Sequence, residues 1–305
     1  MAHRCGTVAI VGRPNVGKST LLNRFLGQKI AIVSRKPETT RDRLLGILTL
    51  PSAQILFLDT PGIYRGAKTL LARHQVQAAR QALEEADVIL LLTEGPAGLT
   101  DQDREIIQIL PKKKGVPSFL AINKVDRVEK ALLLPQIAQA QQLYPFLEIF
   151  PISAAMGDNV EQLLQALAAT LPEGSPLYPA DEITDRPLRF QVQELIREKV
   201  LLATHEEVPH SVAVLVEEWR AGERSARFTD QKPSTYIRAT IYVERDSQKG
   251  ILIGKEGSLL KKIGQAARKD IEDLIESPAY LDLWVKVARN WRMDPKILKM
   301  LGYYG

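Results

Sequence analysis

The run Gly12-Arg13-Pro14-Asn15-Val16-Gly17-Lys18-Ser19-Thr20 brings together residue types that handle phosphate. It has the spacing G-x-x-x-x-G-K-[ST] between a short apolar run and a helical pattern, the context this motif requires. Glycines let backbone N–H groups wrap phosphate oxygens without a Cβ in the way, and the following helix N-terminus adds its positive dipole end. Lys18 is placed to neutralise β- and γ-phosphates and Ser19 to ligate Mg²⁺.

Three further tetrapeptide-scale motifs follow in order, each where a strand pattern ends. Asp59-Thr60-Pro61-Gly62 offers a carboxylate for the Mg²⁺ shell, acting through water, and a glycine N–H for the γ-phosphate. Asn123-Lys124-Val125-Asp126 offers a carboxylate that accepts from guanine N1–H and the 2-amino group, a donor pair that adenine lacks. Ser153-Ala154-Ala155 places a backbone N–H where guanine O6 can be met. Each is weak alone, but their order and strand-end placement predict a guanine-nucleotide site. Between the phosphate loop and Asp59 lies Pro37-Glu38-Thr39-Thr40-Arg41-Asp42, where a threonine could join Mg²⁺ only when a γ-phosphate is present. Thr40 is favoured over Thr39 for that role.

The residue after Gly62 is Ile63, where Ras-like enzymes carry a water-orienting glutamine, so unassisted hydrolysis is expected to be slow. Asn15 has two readings. Its amide could hold K⁺ near the β- and γ-phosphates, or it could only shape the turn. The residues expected to act in hydrolysis are thus Lys18, Thr40, Gly62 and Asn15.

A second glycine-punctuated element lies far downstream. Gly250-Ile-Leu-Ile-Gly254-Lys255-Glu256-Gly257-Ser-Leu-Leu-Lys261-Lys262-Ile263 reads as a helix, a G-x-x-G break and another helix. A KH module uses that break to bring single-stranded backbone close to two helix ends. The chain carries a net charge of +5, yet Asp181 to the C-terminus holds 21 basic and 20 acidic residues. Within Arg245 to Lys269, seven basic residues, Arg268 among them, face two acidic ones. That basic window coincides with the G-x-x-G element and supports RNA as its ligand. Gly254, Lys255, Glu256, Gly257, Lys261, Lys262 and Arg268 are the candidate contacts. Glu256 is the doubtful member, an acid facing an anion.

The elements that must position these groups follow from hydrophobic patterning. Apolar runs at Thr7–Val11, Leu44–Leu50, Ile55–Leu58, Val88–Thr93, Ser118–Ile122 and Ile149–Ile152 alternate with helical patterns at Lys18–Leu26, Ala67–Glu85, Asp101–Leu110, Glu129–Leu143 and Val160–Thr170. This predicts a doubly wound α/β domain, with ligands at the carboxyl ends of its strands. The proline-dense stretch around residues 173–186 predicts a linker between a domain over 1–172 and one over 187–305. The latter reads helix–strand–strand–helix–GxxG–helix–strand, the order of a smaller α+β type II KH domain. Trp284 and Val287, on its last strand pattern, are expected in the core.

With 45% hydrophobic and 25% charged residues, the 305-residue chain has an ordinary globular composition with room for two cores. Apolar stretches are too short for a membrane helix. Cys5 is the single cysteine and is expected to be a buried small residue, in keeping with the reducing cytoplasm. His3, His74, His205 and His210 show no metal-ligand spacing.

The motifs at Gly12–Thr20, Thr39-Thr40-Arg41, Asp59–Gly62, Asn123–Asp126, Ser153-Ala154 and Gly254–Gly257, with Leu283-Trp-Val-Lys-Val287 and the closing Leu301-Gly-Tyr303, resemble the Era family of bacterial GTPases, among the TrmE-Era-EngA-like P-loop proteins. The resemblance spans essentially the whole chain. It implies a P-loop GTPase domain followed by a KH domain, GTP hydrolysis, and binding of the 3′ region of 16S rRNA during small (30S) subunit assembly. It further implies a protein able to touch the inner membrane peripherally; a monomer is expected. Two readings compete: a nucleotide-gated RNA-binding module with negligible turnover, suggested by Ile63, and a membrane-associated signalling GTPase whose basic window meets acidic lipid.

Overall fold

A computed structural model describes residues 2–34, 36, 39–63, 69–111, 115–221 and 234–303. The first elements are β1 (Arg4–Val11), α1 (Lys18–Leu26), β2 (Leu44–Leu50), β3 (Ala53–Asp59), α2 (Leu70–Glu85), β4 (Val88–Glu94), α3 (Asp101–Ile109), β5 (Ser118–Asn123), α4 (Leu133–Leu143), β6 (Glu148–Pro151) and α5 (Val160–Thr170). They build a six-stranded sheet in the order β2-β3-β1-β4-β5-β6, parallel except for the β2–β3 hairpin. Buried on both faces, the central strands are near-continuous apolar runs, as parallel strands under crossover helices must be. One core layer joins Leu21, Leu22 and Phe25 of α1 to Ile10, Phe57 and Leu90; the opposite layer joins Val11, Leu58, Leu91 and Leu120 to Ala82 and Ile106.

Several bounds differ from the sequence expectation. β1 starts at Arg4 because Arg4 and Cys5 already pair with Ala53 and Gln54 on β3. The helical pattern from Glu129 becomes a short 3₁₀ turn at Lys130–Leu132 before α4. Pro37, Glu38 and Ala67 lie outside the described residues. The proline-dense stretch is hydrogen-bonded over much of its length. The N–H groups of Leu177 and Tyr178 donate to Gln54 Oε1 (2.7 and 3.0 Å), and Ile47 N–H donates to Ile183 O (2.8 Å). The chain divides into two compact units, Met1–Lys68 with Ala72–Asp185, and Thr69–Leu71 with Arg186–Gly305.

The second unit holds α6 (Leu188–Ala203), α7 (Val208–Ser211), β7 (Ala213–Arg220), β8 (Thr235–Val243), α8 (Asp246–Ile253), α9 (Ser258–Ile275), β9 (Ala279–Val287) and α10 (Pro295–Met300). β7 and β8 are antiparallel, β8 and β9 parallel. Val192, Ile196, Ile263, Ala267 and Ile271 of the helices cover Val214, Ile237, Ile241 and Val285. Trp284 is a correction to the expected core, since 54% of it is exposed. Strand side chains alternate, and Leu281, Leu283, Val285 and Val287 have the parity that packs on this core. Trp284 falls on the other face. Trp291 is fully buried, its indole N–H donating to Ser211 O (2.8 Å), and Cys5 is buried.

Candidate functional site: a phosphate loop, a base loop and a GxxG turn

The phosphate loop leaves β1 and turns into α1 through two glycines in the positive-φ region, Gly12 (φ 154°) and Gly17 (φ 106°). A Cβ on Gly12 would come 2.5 Å from Leu92 O, and one on Gly17 would come 2.3 Å from Asn123 Nδ2. Neither position has room for a side chain. Asn15 also holds positive φ (64°), which asparagine tolerates better than most residues. Val16 is fully buried and fixes the loop to the core, while Thr20 continues α1.

Lys18 is buried, its Nζ donating to the carbonyls of Gly12 and Arg13 (3.1 Å each). Burial lowers its pKa to about 8, partly offset by Asp59. Burial likewise raises Asp59 to about 6, against the pull of Lys18.

Asp59, at the end of β3, gathers the hydroxyls. Ser19 Oγ donates to its Oδ2 (2.8 Å), Thr40 Oγ1 lies 3.5 Å from the same oxygen, and the two hydroxyls are 2.9 Å apart. Thr39 points elsewhere, donating to Lys36 O (2.7 Å). Asp59 Oδ1 is buried without a hydrogen-bond partner. A buried, unpartnered carboxylate oxygen beside two hydroxyls is the hard-oxygen donor set that suits Mg²⁺. Thr60 Oγ1 anchors the turn to Ile10 O (2.8 Å), and Pro61 is buried. Gly62 presses on Pro14, where a Cβ would sit 2.6 Å from the ring. The Ile63 N–H donates to Gly12 O (3.3 Å), and its side chain packs against the core.

The base loop is tied to the phosphate loop by Asn123, which donates to Val16 O (2.8 Å) and accepts from Ala154 N–H (2.9 Å). Ser153 Oγ donates to Asp126 Oδ1 (2.7 Å), orienting the carboxylate expected to read guanine. Lys124, at φ 65°, donates from Nζ to Asn15 O (2.7 Å).

Three contributors escaped the sequence reading. Arg24 on α1 donates to the carbonyls of Ala154 (3.2 Å) and Ala155. Glu94 bonds both Arg13 (2.7 Å) and Lys124, and Asp103 accepts from Arg13 Nε (3.3 Å). A carboxylate in the residue ending β4 was the signal available for Glu94.

In the second unit, α8 ends at Gly254 (φ 71°), the chain turns through Lys255 and Glu256, and α9 starts after Gly257 (φ 78°). A Cβ on Gly254 would lie 2.9 Å from that of Leu259, whereas one on Gly257 would meet nothing within 4 Å. Lys255 and Glu256 are exposed, as are Lys261, Lys262 and Arg268 along α9. Arg268 lies 3.7 Å from Glu272 one turn on. Glu256 itself takes φ 54°, so the turn strains a non-glycine residue at its tip.

Residues 7–124 match the family model described as a 50S ribosome-binding GTPase, and residues 207–292 match that of the KH domain. The GTPase Era of Geotalea uraniireducens is 48% identical over 300 residues, covering 98% of both chains, and that of Geobacter metallireducens gives the same figures. The chain belongs to the Era family of GTPases. Among solved structures, Era in complex with MgGDPNP and nucleotides 1506–1542 of 16S ribosomal RNA superposes with a TM-score of 0.93 at 44% identity, covering 99% of this chain and 100% of that one. A variant of Aquifex aeolicus Era bound to GDP.AlF4⁻ gives 0.93 at 43% identity with the same coverage. Among its described residues, this Era-family GTPase has no helix long and apolar enough to cross a membrane.

Proposed function

We propose that this GTPase is a GTP-switched RNA-binding protein of small (30S) ribosomal subunit assembly that grips the 3′ region of 16S rRNA through its KH domain. One observation carries the reading: a single chain holds both the Ser19–Thr40–Asp59 cluster beside a buried lysine and an open GxxG turn heading a basic helix. The Era relative crystallised with MgGDPNP and a 16S rRNA fragment supports the pairing of ligands. In this reading residues 1–172 bind nucleotide, 173–186 connect, and 187–305 bind RNA. The protein works as a cytoplasmic monomer that can touch the inner membrane peripherally.

Gly12 to Thr20 would wrap the phosphates with backbone N–H groups, and Lys18 would exchange its two carbonyl partners for β- and γ-phosphate oxygens. Ser19 and Thr40 would hold Mg²⁺ directly and Asp59 through water; bound there, the ion neutralises charge on the phosphates. Thr40 would join Mg²⁺ there only while a γ-phosphate is bound, making its segment the switch, and the Gly62 N–H would report the same phosphate. Asp126, held by Ser153, would read guanine, and Ala155 N–H would meet O6, because Ala154 N–H is already donated to Asn123. Ile63 brings no water-orienting amide and Arg13 is tied to two carboxylates. We assign the further positive charge needed in the transition state to K⁺ held at Asn15.

Two measurements test this. Single-turnover hydrolysis of GTP should be slow but real, and RNA crosslinked to the protein in cells should map to the 3′ end of 16S rRNA. Absent turnover, or RNA displaced by anionic vesicles with no enrichment at that end, would overturn the reading.

A further inference from the structure

Two loops must hold opposite ends of one nucleotide, so the spacing between them matters as much as the groups they carry. Asn123 supplies one tie across them, through neutral hydrogen bonds. A second tie is ionic. β4 and β5 run parallel with Glu94 in register with Asn123, so the Glu94 side chain starts beside the base loop. From there one oxygen, Oε1, accepts from Arg13 Nη2 (2.7 Å) in the phosphate loop. The other, Oε2, accepts from Lys124 Nζ. The same ammonium donates to Asn15 O (2.7 Å), closing a ring from loop to loop and back. Arg13 is steadied from behind by Asp103, which also forms the capping box of α3 with Thr100. The side chains of Glu94, Arg13 and Lys124 are 17%, 13% and 26% exposed, so solvent screens the ring only in part. Burial works against the Glu94 charge, but its bonds to Lys124 and Arg13 outweigh burial and hold the carboxyl below the usual glutamate range.

We propose that Glu94 is a positioning residue for the nucleotide: by bonding Arg13 and Lys124 at once, it sets the separation of the phosphate loop and the base loop. The inference rests on the guanine-nucleotide reading of those loops. On that reading Glu94 lies behind the nucleotide-binding groups and acts through its two partners. Without its charge, two cations face each other with one carboxylate fewer between them, and each is free to turn toward the phosphates or solvent. The loops then lose their shared spacer while keeping every residue that contacts the nucleotide.

The test uses the full-length chain and its Glu94→Gln, Glu94→Asp and Lys124→Met variants. Glutamine keeps the shape but turns an amide N–H donor toward one of two cations; aspartate keeps the charge but is one methylene too short to span both. Glu94→Gln should release GDP about tenfold faster and raise KM for GTP about tenfold, with kcat reduced less than threefold. Glu94→Asp should lie between it and the parent. In the Glu94→Gln background, Lys124→Met should add much less than it does alone, because the two residues act through one ring. A purely structural glutamate predicts a lower melting temperature with GDP release unchanged in the folded protein, and additive double substitution. Either result overturns the proposal. Failure of the unsubstituted chain to bind GTP would instead overturn the nucleotide reading itself.

Discussion

Two glycine-punctuated turns, each leading into a helix, share a design on this chain and differ in how they are held. The phosphate loop is locked. Its lysine is buried, its glycines are walled in by Leu92 and Asn123, and Glu94, Asn123 and Lys124 tie it to the loop that follows β5. The GxxG turn is open. Lys255 and Glu256 project into solvent, and a Cβ on Gly257 would meet nothing. A locked turn suits a small ligand of fixed shape, where preorganisation converts hydrogen bonds into selectivity. An open turn suits a polymer backbone that passes by, where access and charge matter more than fit. The difference predicts that changes at the first turn alter which ligand is accepted, whereas changes at the second alter how tightly one is held.

The largest effect belongs to the locked site. On the proposed reading of the base loop, Asp126→Asn exchanges an acceptor for a donor opposite the guanine 2-amino group, and the new donor suits the 2-oxo group of xanthine. GTP affinity should fall by about three orders of magnitude and XTP binding should appear, as measured by calorimetric titration. Unchanged GTP affinity would remove Asp126 from the base site.

At the open turn, Gly257→Asp puts a carboxylate into free space, so the fold should survive; aspartate also tolerates the positive φ there better than most residues. Affinity for single-stranded RNA should drop about tenfold by fluorescence anisotropy. The unsubstituted protein should also lose affinity steeply between low and moderate salt, as counterion release requires. Gly254→Ala is a harsher probe, because its Cβ would press on Leu259. Melting temperature should therefore fall along with RNA binding in that variant.

A smaller effect sharpens the comparison from the hydrolysis side. With Arg13 occupied by Glu94 and Asp103, turnover should be several-fold faster in K⁺ than in Na⁺ at matched ionic strength, and Asn15→Ala should erase the difference. Equal rates in the two salts would return Asn15 to shaping the turn.

Most of the fold was legible because hydrophobic period and glycine placement are local signals. The bounds of α1, β2 and α5 coincide with the sequence patterns, and each nucleotide motif sits at the end of a strand. What escaped was non-local. Glu94 finds partners 81 and 30 residues away, and Arg24 reaches carbonyls 130 and 131 residues on. No period or spacing encodes such a pairing; it exists only once β1, β4 and β5 lie side by side. Trp284 departs from the expected core for a related reason. An alternating strand shows two parities, but which one faces the helices depends on what covers the sheet. The proline-dense stretch signalled an interruption of helix and sheet, yet its hydrogen bonds to Gln54 and Ile47 depended on the edge that β2 and β3 provide.

The most direct test crosses the two sites on the same preparations. GTP affinity and single-stranded RNA affinity are measured for the parent chain, Asp126→Asn and Gly257→Asp, with the RNA taken from the 3′ end of 16S rRNA. Two separate grips predict that Asp126→Asn loses GTP while binding RNA normally in the absence of nucleotide, and that Gly257→Asp loses RNA while binding GTP normally. Loss of both ligands in either variant, or RNA binding indifferent to Gly257→Asp, would contradict them.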